Sequence, residues 1–373
     1  MLDQFFELTN EFKSIDLTLK RIYKALNDAN IDVSKLGQVI HVAGTNGKGS
    51  TSFFIAQMLD NLGYKTALFT SPHIENITER IKLGLVDISE EYFSRSFNSL
   101  KNLISLNKLT FFEALTLIAF DIFTEYRPDF TILETGMGGR FDATNVIDHK
   151  LPIITSISQD HSGFLGKNIF QIVDEKLAII KDNPIFFVGK NPLFILNYIH
   201  DSFKDKKIIS VQYDNEAPYP KPYSYNFNLA KEVVRFITDK NVVDNKYCLP
   251  PCRMERIGRF ILDGSHNPAG LLNTITNFDA DTVIFSCTYD RPIEKMLNIL
   301  KRSFKNIIIT KIPENSRSLD IDLIPDTKGI FKIQSPEDAV NKSIYISGKS
   351  DIIIIGSLYL CGYLRKYIKG LCV

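Results

Sequence analysis

The chain has 373 residues, of which 44% are hydrophobic and 23% charged, and its formal net charge is +1. This composition is ordinary for a globular protein, and the length favours two domains over one. Lysine and arginine are scattered and form no block, so the charge distribution excludes a nucleic acid or another polyanion as the expected partner.

The first residues show no signal-peptide pattern, and the longest apolar runs are too short to cross a bilayer. Among the 5 cysteines, Cys248 and Cys252 have the spacing of a metal-binding pair, but no second pair or histidine follows at a suitable distance. We therefore interpret the cysteines as reduced thiols. These features predict a cytoplasmic protein without a membrane partner, and a monomer because no exposed apolar stripe stands out.

The first predicted elements surround the most informative stretch of the chain. The apolar run 39–43 is typical of a strand, and the apolar-periodic segment 51–62 is typical of a helix. The loop between them consists of Gly44, Thr45, Asn46, Gly47, Lys48, Gly49 and Ser50. Glycines let backbone N–H groups turn towards an anion, and the positive end of the following helix faces the same point.

This loop predicts a binding site for a nucleoside triphosphate. Lys48 supplies a positive charge for the outer phosphates, and the hydroxyl of Ser50 suits Mg²⁺. A strict phosphate loop has a longer spacer before its Gly-Lys pair, whereas only Thr45 and Asn46 separate Gly44 from that pair here. A simple glycine-rich turn is therefore the alternative at this point.

Strands and helices then alternate through the first part of the chain. Ser89 has the position of a helix N-cap, and Thr110 with Glu113 has the spacing of a capping box before another helix. The sequence also predicts strands over 64–70, 130–133, 153–157 and 185–188, and helices over 168–181 and 228–238. This order predicts an α/β fold with a mostly parallel sheet covered by helices.

The polar segment 241–253, which contains Pro250 and Pro251, marks the expected domain boundary. We expect a first domain over 1–247 and a second, smaller domain over 248–373. The second domain continues the α/β pattern, with strands predicted over 260–262, 283–285, 307–309 and 352–355.

Candidate ligand-binding side chains follow the predicted strands. Ser71, Glu134 and His161 each come shortly after one strand of the first domain. Ligands bind at the carboxyl ends of strands in open α/β sheets, and a carboxylate beside glycine-rich backbone suits Mg²⁺ next to phosphate. His161 alone is equally compatible with a loop histidine satisfied by its neighbours, but together these residues predict a metal and phosphate site.

Two further positions are ambiguous by spacing alone. Lys176 lies on a predicted helix, where a solvated face is the simpler interpretation. Asp263 and His266 follow the first predicted strand of the second domain, and Asn267 before Pro268 is also typical of a helix N-cap turn.

Taken together, these stretches resemble the folylpolyglutamate synthase/dihydrofolate synthase family, which is related to the Mur ligases. The matching stretches occur in the family's order and run from about residue 41 to 360. They are His41–Ser50, Thr70–His73 with Glu79–Ile81, Thr110–Glu113, Gly138–Asn145, Asp160–His161 with Leu165–Gly166, Glu175–Lys176, Asp263–Pro268 and Gly356–Tyr359. Each stretch is a weak signal alone, whereas the set is highly specific.

The resemblance implies an ATP-dependent amide ligase that uses Mg²⁺. In such an enzyme ATP phosphorylates a substrate carboxylate, and the amine of L-glutamate then displaces the phosphate. The acceptor would be dihydropteroate or a reduced folate. The implied fold is a P-loop ATPase-like N-terminal domain that binds ATP and pterin, followed by a smaller, Rossmann-like C-terminal domain.

The resemblance also implies the roles of individual residues around the phosphates. Lys48, His161 and Lys176 would be catalytic, and Lys176 would be carbamylated, which converts an ammonium into a metal-binding anion. The metal site would consist of Ser50, Ser71, Glu134, His161 and Lys176.

Further roles concern ATP and the folate. The loop 44–50 would hold ATP together with Arg253, Asp263 and His266 of the second domain. Asp142 would hydrogen-bond the pterin, since a carboxylate can accept two N–H groups from an aminopyrimidine edge. Phe111 or Phe112 would stack on the pterin ring, although packing in the core is the alternative for either side chain.

Other functions share some of these features. A Mur-type peptidoglycan-precursor ligase has the same loop but normally carries a nucleotide-sugar domain before it, and only about forty residues precede Gly44. A kinase or a nucleotide-dependent switch would not account for His161 or for Asp263–Pro268. Within the resembling family, the pterin-site matches favour a bifunctional enzyme of bacterial type over one that only starts or only extends the glutamate tail.

Overall fold

The computed structural model of the chain describes residues 2–9, 18–159, 168–211, 219–243 and 247–371. Within these residues the chain separates into two compact units, each built around a mostly parallel sheet. The first unit comprises Met1–His73, Ile77–Tyr219 and Tyr223–Cys248, and the second comprises Ile74–Asn76, Pro220–Pro222 and Leu249–Val373. The α/β architecture expected from the alternation of strands and helices is confirmed.

The first unit contains the following described elements. Its helices are α1 (Leu2–Leu8), α2 (Lys20–Asp28), α3 (Lys48–Asn61), α4 (Glu90–Leu106), α5 (Phe111–Tyr126), α6 (Ile169–Leu177), α7 (Leu193–Ser202) and α8 (Tyr223–Thr238). Its strands are β1 (Gln38–Ala43), β2 (Thr66–Phe69), β3 (Ile81–Leu83), β4 (Val86–Asp87), β5 (Phe130–Glu134), β6 (Leu151–Ile154), β7 (Ile185–Val188) and β8 (Lys207–Ser210). Short 3₁₀ helices cover Val33–Leu36, Ile77–Arg80 and Ala143–Val146.

The order of strands in this sheet is β4-β3-β2-β5-β1-β6-β7-β8. The strands from β2 to β8 in that order run parallel, whereas β3 and β4 are antiparallel additions at one edge. The carboxyl ends of β2, β5, β1 and β6 therefore lie side by side. This is the edge at which open α/β sheets bind ligands.

The two helix caps predicted in the first unit, at Ser89 and at Thr110 with Glu113, are confirmed. The side chain of Ser89 accepts a hydrogen bond from the backbone N–H of Tyr92 at 3.1 Å. Thr110 and Glu113 form the complete capping box at the start of α5. These caps satisfy N–H groups that have no partner within the helix, and each contributes about 1 kcal/mol to helix stability.

Both faces of the sheet are buried, one under two apolar clusters and the other under α3 and α8. Helices α2, α4 and α5 contribute to one cluster, in which Phe93, Phe97 and Phe120 are almost completely buried. Ile172 of α6 and Ile195 of α7 pack in a second cluster. Because a parallel sheet is buried on both faces, its strands read as short continuous apolar runs.

Several predicted boundaries differ from the structure. The strand predicted over 153–157 ends at Ile154, because the residues after it turn to pair with the glycine-rich loop. The helix predicted over 168–181 ends at Leu177. The helix predicted over 228–238 begins at Tyr223, because its first turns bury polar side chains that hydrophobic periodicity does not register.

The second unit contains the following described elements. Its strands are β9 (Glu255–Ile257), β10 (Phe260–Asp263), β11 (Thr282–Phe285), β12 (Asn306–Ile309), β13 (Ile330–Lys332) and β14 (Ile352–Ile355). Its helices are α9 (Pro268–Ile275), α10 (Ile293–Ser303), α11 (Pro336–Ser347) and α12 (Leu358–Leu371), with a 3₁₀ helix at Ile321–Leu323.

The strand order in this second sheet is β13-β12-β11-β14-β10-β9, and only β9 runs antiparallel to its neighbour. One face packs against α9 and α10, with Leu271 and Met296 completely buried, and the other packs against α11 and α12, with Val340 and Leu364 completely buried. No helix in the described part of the chain has the length and hydropathy of a membrane span.

Candidate active site

The glycine-rich loop connects β1 to α3 as the sequence predicts. Helix α3 begins at Lys48, and its N-cap Gly47 has a left-handed backbone with a φ of 89°. A Cβ atom at Gly47 would lie 2.4 Å from Oδ1 of Asn226, so this position has no room for a larger residue. The exposed N–H groups at the start of α3 therefore follow directly on the loop, which is the arrangement that binds phosphate.

A polar segment after β6 supports this loop. The N–H of Thr45 donates to the carbonyl of Ser156 at 2.7 Å, and the Thr155 hydroxyl donates to the carbonyl of Asn46 at 2.8 Å. A Cβ atom at Gly44 would lie only 1.9 Å from the Thr155 hydroxyl. This contact was not predicted from the sequence, although the polar run that follows the apolar strand at Thr155 is a visible signal.

Two lysines meet at the loop. The Nζ of Lys48 donates to the carbonyls of Gly44 and Thr45 at 3.2 and 3.4 Å, and the Nζ of Lys176 donates to the Gly44 carbonyl at 2.9 Å. Lys176 is only 4% exposed, so the solvated-face interpretation of this residue is wrong. While Lys176 is unmodified, the two ammonium groups beside one carbonyl favour binding of an anion such as phosphate. Carbamylation of Lys176 stays a prediction that an intact-mass measurement would test.

Glu134, Ser71 and Ser50 lie around the same loop. Glu134 is the last residue of β5 and is 4% exposed, and its Oε2 accepts a hydrogen bond from the N–H of Ser71 at 3.0 Å. A Cβ atom at Gly49 would lie 3.2 Å from the same oxygen, so Glu134 reaches the first turn of α3, which also carries Ser50. His161 lies outside the described residues.

These side chains fit a magnesium ion whose remaining ligands are supplied by phosphate and water. Within the described ranges, no cluster of three or more His, Cys, Asp and Glu side chains could hold a metal ion by itself. Magnesium is usually bound by one or two carboxylates together with substrate phosphates and water. The buried carboxylate of Glu134, which lies against the glycine of the phosphate loop, is a ligand of this kind.

The strand end that carries Ser71 also carries His73. The Nε of Arg80 donates to the Nδ1 of His73 at 2.9 Å. Burial, together with the nearby charge of Arg80, lowers the pKa of His73 to about 3. His73 is therefore a neutral acceptor that fixes Arg80, and it supplies no positive charge to the site.

The two candidate stacking residues have different environments. Phe111 is 6% exposed and packs in the core cluster, so the core interpretation applies to it. Phe112 is partly exposed, and a Cβ atom at Gly136 would lie 2.7 Å from its ring. Phe112 therefore covers the turn that follows Glu134, and stacking on a pterin stays a prediction for this residue.

Asp142 is held by its own loop. Its Oδ2 accepts hydrogen bonds from the N–H groups of Gly136 and Met137 at 2.8 and 3.1 Å, and its Oδ1 accepts from the N–H and the hydroxyl of Thr144. Burial raises the pKa of Asp142, while these hydrogen bonds oppose the rise. A pterin N–H could bind the carboxylate only by displacing one of these donors, so direct contact stays a prediction.

In the second unit, Asp263 is held in the same way. Its carboxylate is completely buried and accepts from the N–H of Met254 at 2.9 Å, from the N–H and hydroxyl of Ser265, and from the hydroxyl of Thr274 at 3.0 Å. This carboxylate organises the turn after β10. Its predicted role towards ATP stays a prediction.

His266 lies on that turn, and Arg253, which precedes β9, reaches it with its side chain. A Cβ atom at Gly264 would lie 2.7 Å from Nη1 of Arg253, and the Nδ1 of His266 is 2.9 Å from the Gly264 carbonyl. Because a carbonyl can only accept, Nδ1 of His266 carries the proton. Asn267 caps α9 by accepting from the N–H of Gly270 at 2.8 Å, which confirms the N-cap interpretation for that residue.

Comparisons with known proteins identify the family. The Mur ligase middle domain family matches residues 42–243. The dihydrofolate synthase/folylpolyglutamate synthase of Bacillus subtilis is 31% identical over 389 residues, and the match covers 89% of this chain and 90% of that protein.

Solved structures agree in fold. A Mycobacterium tuberculosis folylpolyglutamate synthase complexed with ADP superposes with a TM-score of 0.86 at 24% identity, covering 98% of both chains. The bifunctional folylpolyglutamate synthase/dihydrofolate synthase of Yersinia pestis, complexed with AMPPNP and a manganese ion, gives a TM-score of 0.84 at 23% identity and covers 99% of this chain and 97% of that chain. The chain belongs to the dihydrofolate synthase/folylpolyglutamate synthase family and is an ATP-dependent ligase.

Proposed function

We propose that this protein joins L-glutamate both to dihydropteroate and to the glutamate tail of reduced folates. The observation that carries the proposal is the phosphate loop, on which two lysines and the buried carboxylate of Glu134 converge. The B. subtilis relative, which matches most of this chain, is named for both activities. The same relationship argues against a peptidoglycan-precursor ligase.

The reaction needs ATP because a carboxylate oxygen is a poor leaving group. The γ-phosphoryl group of ATP passes to the acceptor carboxylate, and ADP departs. The glutamate nitrogen then attacks the acyl carbon, the bond to phosphate breaks, and the nitrogen loses a proton. The enzyme has no covalent step to perform, so it works by aligning the groups and neutralising charge.

Lys48 and the N–H groups at the start of α3 would bind the phosphates of ATP. Ser50, Ser71 and Glu134 would hold Mg²⁺, with His161 and a carbamylated Lys176 as further ligands. When bound, the ion neutralises charge on the phosphates. The ADP and the AMPPNP with manganese in the two similar structures support this assignment.

The remaining assignments concern the acceptor and the nucleotide. Phe112 would stack on the pterin beside the turn that Asp142 holds. In the second unit, His266 on the turn that Asp263 organises and Arg253 beside that turn would contact ATP or glutamate. We also propose that the enzyme is cytoplasmic and monomeric and that its partners are small-molecule substrates only.

The test is a ligation assay on the purified chain. With Mg²⁺-ATP and L-glutamate, we expect mass spectrometry to detect dihydrofolate from dihydropteroate and a lengthened tail from tetrahydrofolate. Lys48→Ala should lower both rates at least about 100-fold, because it removes a charge that stabilises the transferring phosphoryl group. Lys204→Ala, at a lysine whose side chain is 76% exposed, is the control and should leave both rates unchanged.

The outcomes separate the parts of the proposal. A chain that makes only one of the two products is not bifunctional. A chain that makes neither product while hydrolysing ATP would contradict the proposed substrates. Equal activity in Lys48→Ala and in wild type would contradict the assignment of the phosphate site.

A further inference from the structure

A buried chain of three side chains runs from β1 to the turn that follows Glu134. His41 lies inside β1 and is completely buried, and its Nε2 is 2.7 Å from the hydroxyl oxygen of Thr144. The Thr144 hydroxyl is also hydrogen-bonded to Oδ1 of Asp142. Asp142 in turn accepts hydrogen bonds from the N–H groups of Gly136 and Met137.

The proton positions in this chain follow from the donor inventory. Asp142 accepts two backbone N–H groups at Oδ2 and one at Oδ1, which the ionised carboxylate does best. The single hydroxyl proton of Thr144 is therefore donated to Asp142. The oxygen of Thr144 must then accept from His41, so Nε2 of His41 carries the proton.

The other side of His41 supports a specific role for the residue. Among the residues that the structure describes, Nδ1 of His41 has no hydrogen-bond partner. The nearby charges of Lys150 and Lys181, together with burial, keep the imidazole neutral. A buried nitrogen without a partner costs stability, so an apolar residue would serve the fold better at this position. The single N–H group of this neutral imidazole donates its hydrogen bond to Thr144.

We propose that His41 and Thr144 are positioning residues for the acceptor side of the active site. They hold Asp142, and Asp142 fixes the Gly136–Met137 turn, against which Phe112 packs. β1 leads directly into the phosphate loop. The hydrogen bonds from His41 through Thr144 to Asp142 therefore connect the Gly136–Met137 turn to the strand that positions ATP. This inference rests on the proposed function, in which Phe112 and this turn bind the pteroyl group.

The proposal predicts a change in acceptor affinity that spares ATP. Thr144→Val keeps the shape of the side chain and removes the hydroxyl. It should raise KM for the pteroyl acceptor at least about tenfold and leave KM for ATP within about twofold of wild type. Thr144→Ser restores the hydroxyl and should recover most of the lost affinity. His41→Leu should resemble Thr144→Val, whereas His41→Gln keeps an N–H donor and should resemble Thr144→Ser.

A second measurement does not depend on turnover. In ¹⁵N-histidine-labelled protein, NMR should report His41 as the neutral tautomer protonated at Nε2 in wild type and in Thr144→Ser. Thr144→Val should lose the hydrogen-bonded Nε2 proton signal. A His41 protonated at Nδ1 in wild type would overturn the proton assignment and with it the proposal.

Two outcomes of the KM measurements would contradict the proposal. An unchanged acceptor KM in Thr144→Val, or equal rises in the KM values for acceptor and ATP, would overturn the positioning role. If wild type ligates neither acceptor, the proposed function fails instead, and the NMR measurement still tests the hydrogen-bonded chain. If Thr144→Val does not fold, the pair His41→Leu and His41→Gln tests the same KM difference.

Discussion

At the scale of single residues, carboxylates that follow strands have two different uses in this chain. Asp142 and Asp263 each accept hydrogen bonds from the N–H and the hydroxyl of the residue two positions later, Thr144 and Ser265. Each carboxylate also accepts a hydrogen bond from a further backbone N–H, that of Gly136 or of Met254. Both carboxylates therefore stabilise the turns in which they lie. Glu134 instead lies against the phosphate loop at Gly49. Sequence position alone does not separate these uses, because Glu134 and Asp263 are each the last residue of an apolar strand.

The buried imidazole of His41 predicts a loss of stability in acid. Burial and the charges of Lys150 and Lys181 lower the pKa of His41 well below its ordinary value of 6.5. Below pH 6.5 the unfolded chain therefore binds a proton that the folded chain rejects, and stability falls as the pH is lowered. The cost is absent above this pH and grows by about 1.4 kcal/mol per pH unit below it.

Urea unfolding of wild type and His41→Gln between pH 7.5 and about 5 measures this cost. Glutamine keeps an N–H donor and cannot titrate, so the wild type should lose stability relative to the variant only in the acid range. The pKa of Lys150 is lowered to about 7, so its ammonium is charged in the acid range. This charge further disfavours protonation of His41 in the folded protein. Parallel pH profiles for the two proteins would contradict a neutral, buried His41.

At the scale of elements, the sequence predicts what is local. The capping box at Thr110 and the N-cap at Ser89 are confirmed because each depends on residues a few positions apart. The strand Lys207–Ser210 was not predicted, since its partly exposed residues give no buried apolar run. The contact of Thr155 with the phosphate loop depends on the pairing of β1 with β6, which a local pattern does not contain.

The junction of the phosphate loop with α3 gives the element-scale prediction. Gly47 and Gly63 have similar left-handed backbones, with φ of 89° and 85°. A Cβ at Gly47 would lie 2.4 Å from Asn226, whereas nothing lies within 4 Å of one at Gly63. Both alanine variants should lose about 1 kcal/mol from backbone strain, and Gly47→Ala alone should also raise KM for ATP about tenfold by displacing the loop.

Steady-state kinetics and thermal unfolding of both variants separate these effects. Gly63→Ala serves as the matched control for strain without a clash. The double variant Gly47→Ala/Asn226→Ala removes the clashing side chain and should recover part of the ATP affinity. An equal rise in KM for Gly47→Ala and Gly63→Ala would show that strain, and not the packing against Asn226, governs the loop.

At the scale of the whole molecule, the α/β class of both units and the phosphate loop were predictable from sequence. Periodicity marks the buried strands of both sheets, and the glycine-rich loop carries its chemistry in consecutive residues. The buried position of Lys176 was not predictable, because its contact with the Gly44 carbonyl joins residues far apart in the chain. Its helix pattern alone indicated a solvated face.

If a single site binds both acceptors, the reaction rates in a mixture of dihydropteroate and tetrahydrofolate can be predicted. If dihydropteroate and tetrahydrofolate both react at the phosphate loop after β1, an enzyme molecule that holds one acceptor cannot ligate the other. Each acceptor should therefore inhibit ligation of the other competitively, with an inhibition constant equal to its own KM. At saturating amounts of both, the total rate measured by mass spectrometry should lie between the two separate rates. A total equal to the sum of those rates would require two independent sites and would contradict the single-site assignment.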